Sequence, residues 1–330
     1  MAVRVGQRPG DKKIMGERRN DYDVTNSVNT TDTEDVSREV TRIYRGLYQQ
    51  DSPANLDEAF ADFGRLYRGE YPGYHECDTD YHDIQHVLDV TLGMARLLDG
   101  CARATSTETI GERLFRFGII TALYHDCGYI RSRKDTRHAN GAEYTAVHVS
   151  RSARFLEDYM RRIGMADMAQ AAARTVHFTG YEIPVDRIKV APEYRLIGSL
   201  LGSADILAQM ADRCYLEKCY DRLYPEFVRG GIARKRHEDG REEIIFASAA
   251  DLIFKTPRFY QGATKRLKQD LGGCYNYIER HFGGQNLYFD ELEKNINHAR
   301  TIAVDGDISR LRRRPPKTVE AVEPEQQRLI

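Results

Sequence analysis

The stretch Tyr81-His82-Asp83-Ile84-Gln85-His86-Val87-Leu88-Asp89-Val90 sets two imidazoles four residues apart and a carboxylate three residues beyond the second. On an α-helix, positions three and four apart share a face, so His82, His86 and Asp89 would line one side. Ile84, Val87, Leu88, Leu92, Ala95 and Leu98 supply an apolar stripe beside them. The spacing predicts a helix whose polar edge borders buried surface. An ordinary helix edge has the same pattern, so the choice between a site and an edge falls to three later segments.

The first is 111–127, apolar nearly all round through Leu114, Phe117, Ile119, Ile120, Ala122 and Leu123 and ending in His125-Asp126, with Gly128 at a C′ position. An ionised Asp at the end of a buried helix costs several kcal/mol unless paired. Either a metal ion holds it, or backbone amides hold the Asp and a carbonyl the His. Next come helices over 139–163, entered by His138, and over 166–177, ending in His177. A basic loop, Arg131 to Lys134, precedes them and reads as solvated charge beside the His-Asp pair. The third is a long helix over 196–220 with Asp205 inside its apolar run, out of place unless paired.

Outward from these, Val36, Val40, Ile43, Tyr44 and Leu47 recur at helical spacing, and Leu56, Phe60, Phe63, Leu66 and Tyr67 repeat the pattern. Two N-terminal helices follow, then a linker over 71–74. Residues 221–300 show a charged loop at 229–243 and helical segments around 249–254, 259–271 and 287–299, packing without chemistry; 242–247 is the best strand candidate. Residues 1–33 and 305–330 are polar and charged with no apolar periodicity, and are expected to be disordered ends. The fold class is all-α, one domain over 34–304 with its core at about 80–220.

The 330 residues carry a formal net charge of −1 with 30% charged residues of both signs, which points to neither nucleic acid nor a membrane surface. No apolar run approaches the roughly 20 residues of a membrane span. The six cysteines have no CxxC or zinc-finger spacing, and with no signal-like segment upstream the expectation is a cytoplasmic protein with reduced thiols.

His82, His86, His125, Asp126, His138, His177 and Asp205 together form a ligand set without thiolates, suited to Zn²⁺, Mn²⁺, Mg²⁺ or Fe, and Asp126 could bridge two ions. Their order resembles that of the HD-domain metal-dependent phosphohydrolases. Tyr81 to Val90 is similar to the cyclic nucleotide phosphodiesterase signature YHNxxHAxDV, Ala122-Leu-Tyr-His-Asp-Cys-Gly-Tyr129 to the helix ending HDxGY, and Ser203-Ala-Asp205 to the closing AD. The resemblance spans about residues 80–220 and implies an HD-type helical bundle with His86, His125, Asp126 and Asp205 on one metal and His82 as general acid. His138 and His177 resemble the extra histidines of two-metal members. Asp83 stands for the signature Asn and Val87 for its Ala, and the C-terminal Gln that clamps a purine in the animal enzymes has no counterpart: before Pro257 the chain reads Phe246-Ala-Ser-Ala-Ala-Asp251-Leu-Ile.

The expected function is hydrolysis of a phosphodiester, a 3′,5′-cyclic nucleotide being the class the signature suggests. A metal-bound hydroxide would attack phosphorus, with one or two divalent ions as cofactor and His82 protonating the leaving oxygen. The alternatives are a nucleotide phosphomonoesterase, a nucleoside triphosphate hydrolase, a di-iron oxygenase on the same fold, and a non-catalytic nucleotide sensor. The expected partner is a small nucleotide or phosphoester. The sequence leaves the oligomeric state open.

Overall fold

The computed structural model describes residues 17–51, 54–105, 109–237 and 239–317. It is all-α apart from one small hairpin. In chain order the helices are α1 (Thr33–Tyr48), α2 (Ala54–Tyr67), α3 (Ile84–Ala104), α4 (Glu112–Leu123), α5 (His148–Arg162), α6 (Ala169–Thr175), α7 (Pro192–Ala211), α8 (Tyr215–Lys218), α9 (Tyr224–Arg229), α10 (Ala249–Lys265), α11 (Ile278–His281) and α12 (Leu287–Asp305). Short 3₁₀ and π turns join several of them. Strands β1 (Arg234–Arg236) and β2 (Glu242–Ile244) pair antiparallel, Lys235 opposite Glu243.

α3 is the axis. Asp83 caps it, its carboxylate accepting the His86 N–H at 2.9 Å, and nearly every residue from Ile84 to Ala102 is buried. It packs against α7, α4, α11 and α1, and α12 closes on α7. Glycines lie at two of its helix contacts. A Cβ at Gly118 would meet the Met94 methyl at 2.8 Å, so α4 can lie directly on α3. Gly93 faces Ala204 across the α3–α7 contact. Burying Leu88, Leu92, Leu97 and Leu98 completely contributes roughly 1.5 to 3 kcal/mol each.

Several element ends fall elsewhere than the periodicity implies. α4 stops at Leu123, so His125 and Asp126 lie in the turn beyond it, and Gly128 is not a left-handed C′ residue. The segment 139–163 is a 3₁₀ turn over Gly141–Tyr144 followed by α5 from His148. The expected 196–220 helix breaks at Asp212, whose carboxylate turns back to accept the Cys214 N–H at 2.6 Å and the Lys218 ammonium at 2.5 Å.

The expectation of a disordered arm does not hold for 17–32, nor that of a disordered tail for 305–317; residues 1–16 and 318–330 lie outside the described residues. Asp23 is buried because its carboxylate satisfies the amides of Thr25, Ser27 and Val28 and meets Arg96 of α3 at 2.5 Å. Past α12, a 3₁₀ turn over Ile308–Arg310 leads into an extended run whose Arg314 carbonyl takes the Asn20 amide at 2.9 Å. No helix among the described residues is long and apolar enough to cross a membrane.

Candidate metal centre

Three elements converge beside the start of α3. His86, in its first turn, points Nε2 at Asp126 Oδ2 (3.3 Å) and at Asp205 Oδ1 (3.5 Å). His125 Nε2 also lies 3.3 Å from Asp126 Oδ2. His86, His125 and Asp205 offer ligand atoms all within 4.8 Å of one another. Donors about 2.0 to 2.2 Å from a shared ion stand at most about 4.4 Å apart, so a small inward adjustment would bring these atoms to ligating separation. Asp205 comes from the middle of α7, held by the Ala204 contact with Gly93, and it is an acid in an otherwise apolar run because it faces this cluster.

The donor chemistry fits a cation. The His125 Nδ1–H donates to the Ala122 carbonyl at 2.7 Å, which fixes the tautomer and leaves the Nε2 lone pair facing the cluster. That Nε2 is buried and has no hydrogen-bond partner, because its approach to Asp126 is misaligned for one. A buried carboxylate, Asp126, and a half-buried one, Asp205, beside imidazole lone pairs call for positive charge, from protons or a metal. With protons alone, burial opposes charging His125, but Asp126 outweighs it and draws the imidazole up to about 9. Burial likewise opposes ionising Asp126, yet His125 and His86 hold it well below the carboxylate range.

His82 is not on a helix face with His86. It lies just before the Asp83 cap, and its ring centroid is nonetheless 5.8 Å from that of His86. Its Nδ1 meets Glu226 Oε2 of α9 at 2.6 Å, while Glu226 Oε1 accepts the Tyr81 N–H at 2.6 Å. Burial would lower the His82 pKa, but the charge and hydrogen bond of Glu226 prevail and raise it. Tyr129 stacks on the His82 ring at 4.3 Å and also on that of His148 at 4.4 Å, so the three rings cluster, with His82 and His148 6.2 Å apart.

His148, at the start of α5, brings Nε2 to 3.6 Å from Asp126 Oδ1, the carboxylate oxygen opposite the one facing His86 and His125. Its Nδ1–H donates to the Thr145 carbonyl at 2.7 Å, leaving Nε2 a lone pair as in His125. Burial is the main reason its pKa is lowered, which favours that neutral form.

The structure therefore gathers His86, His125, Asp126 and Asp205, with His82 adjacent. His138 goes elsewhere: its Nδ1 meets Asp135 at 2.8 Å and its ring packs on Tyr144. His177 points Nδ1 towards Glu182 at 3.8 Å, and that nitrogen is buried without a hydrogen-bond partner. Asp89 is not among the clustered ligand atoms but borders a small pocket that His86, Gln209, Asp212 and Lys218 also line, and burial followed by the Asp212 charge pushes its carboxyl up to about 7. His148 and Glu226 are the two residues that the sequence does not single out. A histidine does stand at the entry of this helix, but it is His148 rather than His138, because the helix starts nine residues later than the periodicity places it. Glu226, from a distant short helix, carries no local signal.

The Npun_R2479-like family, whose description names no activity, matches residues 72–298, more than half of the chain and inclusive of every residue of this cluster. No curated protein and no solved structure matches the chain.

Proposed function

We propose that this chain, which belongs to the Npun_R2479-like family, is an HD-type metal-dependent phosphohydrolase cleaving a phosphodiester, with 3′,5′-cyclic nucleotides as the first class to try. The observation that carries the reading is the convergence of His86, His125, Asp126 and Asp205 from three segments far apart in sequence, with a carboxylate-held imidazole, His82, beside them. His86, His125, Asp126 and Asp205 would hold one divalent cation; Asp126 Oδ1 and His148 would face a second, in place of the expected His138. A bound divalent cation there supplies an activated water as nucleophile and neutralises phosphoryl oxygens.

The rest is the protein's own work. Glu226 keeps a proton on His82 and orients the ring, and Tyr129 stacking limits the ring's rotation. His82 can then deliver its proton to the leaving oxygen of a sugar, a poor leaving group without it. Asp83 fixes His86 by capping α3, while Arg222, 3.2 Å from Asp83, holds the cap in place.

The test is elemental analysis of the purified protein followed by a panel of cyclic nucleotides, nucleotides and aryl phosphodiesters at neutral pH. Bound divalent metal and turnover of a phosphodiester are expected, both abolished by His86→Ala. A metal-loaded protein inert towards every phosphoester would sink the reading, and a coloured iron protein of that kind would favour oxygenase chemistry.

A further inference from the structure

The cluster supplies chemistry for a phosphoryl group but says nothing of what else the substrate carries. The rim beside it does. The loop 178–184 runs against the start of α5: a Cβ at Gly180 would meet Val149 at 3.0 Å, and Ser150 donates to Glu182 at 3.2 Å. The buried Arg266 pins this loop, its guanidinium donating to the carbonyls of Phe178 (2.7 Å) and Gly180 (2.6 Å). The same guanidinium lies 4.1 Å from the centroid of the Tyr181 ring.

Tyr181 is thus fixed by a cation–π contact on one face, yet it is 66% exposed, the most exposed aromatic residue of this rim. Val147 (46%) and Ile183 (37%) are exposed beside it, on either side of His148 and Glu182 in sequence. Lone exposed apolar side chains need no explanation. Here a ring held by a cation–π contact and two aliphatic residues sit on the two segments that the Ser150–Glu182 hydrogen bond joins, next in sequence to His148.

We propose that Tyr181 is the platform on which a nucleobase of the substrate stacks, making it a specificity-determining residue; this rests on the phosphohydrolase reading above. The phosphate would enter the cluster, and the base would lie on the open face of the ring. Arg266 is a positioning residue for that ring. Stacking on an aromatic side chain tolerates any base, so the platform selects nucleotides over phosphosugars without choosing among bases.

The test uses full-length, Mn²⁺-loaded protein with adenosine 5′-monophosphate and ribose 5-phosphate as probes, measured by calorimetry. The wild type should bind the nucleotide on the order of tenfold more tightly than the phosphosugar. Tyr181→Ala should erase that preference while leaving ribose 5-phosphate affinity and metal content unchanged. The chain contains no tryptophan, so Tyr181→Trp installs a unique fluorophore that the nucleotide, but not the phosphosugar, should quench. Equal wild-type affinities, or a preference that survives Tyr181→Ala, would overturn the platform and leave the phosphohydrolase reading standing. Failure of both probes to bind would remove the two together.

Discussion

In the proposed mechanism His82 gives up a proton, and its ring is held by a residue 144 positions away in the chain, Glu226. Because Glu226 raises the His82 pKa, the protonated acid persists to higher pH, and activity should fall as pH rises through that pKa. Glu226→Gln keeps a hydrogen bond but removes the charge, so the basic limb of the kcat/KM profile should move to lower pH; an unmoved limb would show that Glu226 does not tune the acid. Removing the acid itself separates chemistry from metal binding. His82→Ala should retain metal, lose roughly 10² to 10⁴ in turnover of a natural phosphodiester, and spare p-nitrophenyl esters, whose leaving group needs little protonation. His86→Ala should lose metal and both activities, and loss of metal from His82→Ala would contradict this division. For His148→Ala the readout is stoichiometry: if Asp126 bridges two ions, metal content should fall by about half while the His86 side stays loaded. Complete retention would reduce the centre to a single ion.

At the scale of elements, the distance between Asp126 and His148 is set by backbone contact. A Cβ at Gly128 would overlap the His148 carbonyl oxygen and lie 2.9 Å from the Ser152 amide, so the turn after α4 can touch α5 only because this residue has no side chain. Gly128→Ala should push α5 away, costing about 1 to 3 kcal/mol of stability by urea denaturation and lowering metal affinity. Gly46, within α1 and with nothing inside 4 Å of an added methyl, is the control, where Ala should stabilise by up to about 1 kcal/mol. A Gly128→Ala protein as stable as wild type would refute the packing argument. These contacts also explain what could be read from sequence. The apolar stripes of α3, α4 and α7 are strong and local, and with them came His86, His125, Asp126 and Asp205. Helix ends are decided by tertiary contacts instead: α4 stops early because the chain must turn His125 and Asp126 inwards, and α5 starts late at His148, which left His138 as the apparent entry residue. Glu226 was invisible because its partner is reached only through the fold.

At the scale of the molecule, the polar segment before α1 is part of the structure that holds the site. Its Asn20 carbonyl accepts the Gln85 amide at 3.3 Å, one residue from His86, and Arg213 binds Asn20 at 3.0 Å and pairs with Glu17. Polarity alone suggested disorder, since composition cannot show that a segment's polar groups satisfy one another and a buried arginine. The decisive link is Asp23 to Arg96, with Tyr288 as the second partner of the guanidinium at 2.8 Å. Both side chains are almost fully buried, so Asp23→Ala leaves a desolvated cation without its counter-charge and should cost about 3 to 5 kcal/mol in global stability. The pH dependence follows in sign from the same pair. Burial opposes ionisation of Asp23, but Arg96 and the surrounding hydrogen bonds hold its pKa down to about 2. A depressed carboxyl contributes its stability in full above the unfolded value near 4, and loses it as pH falls towards the folded one, a change of about 2 to 3 kcal/mol. The gap in urea midpoint between wild type and Asp23→Ala should therefore be constant from about pH 7 to pH 5 and narrow below about pH 4. A gap under about 1 kcal/mol at neutral pH, or one indifferent to acid, would mean that the N-terminal segment is not anchored through this pair.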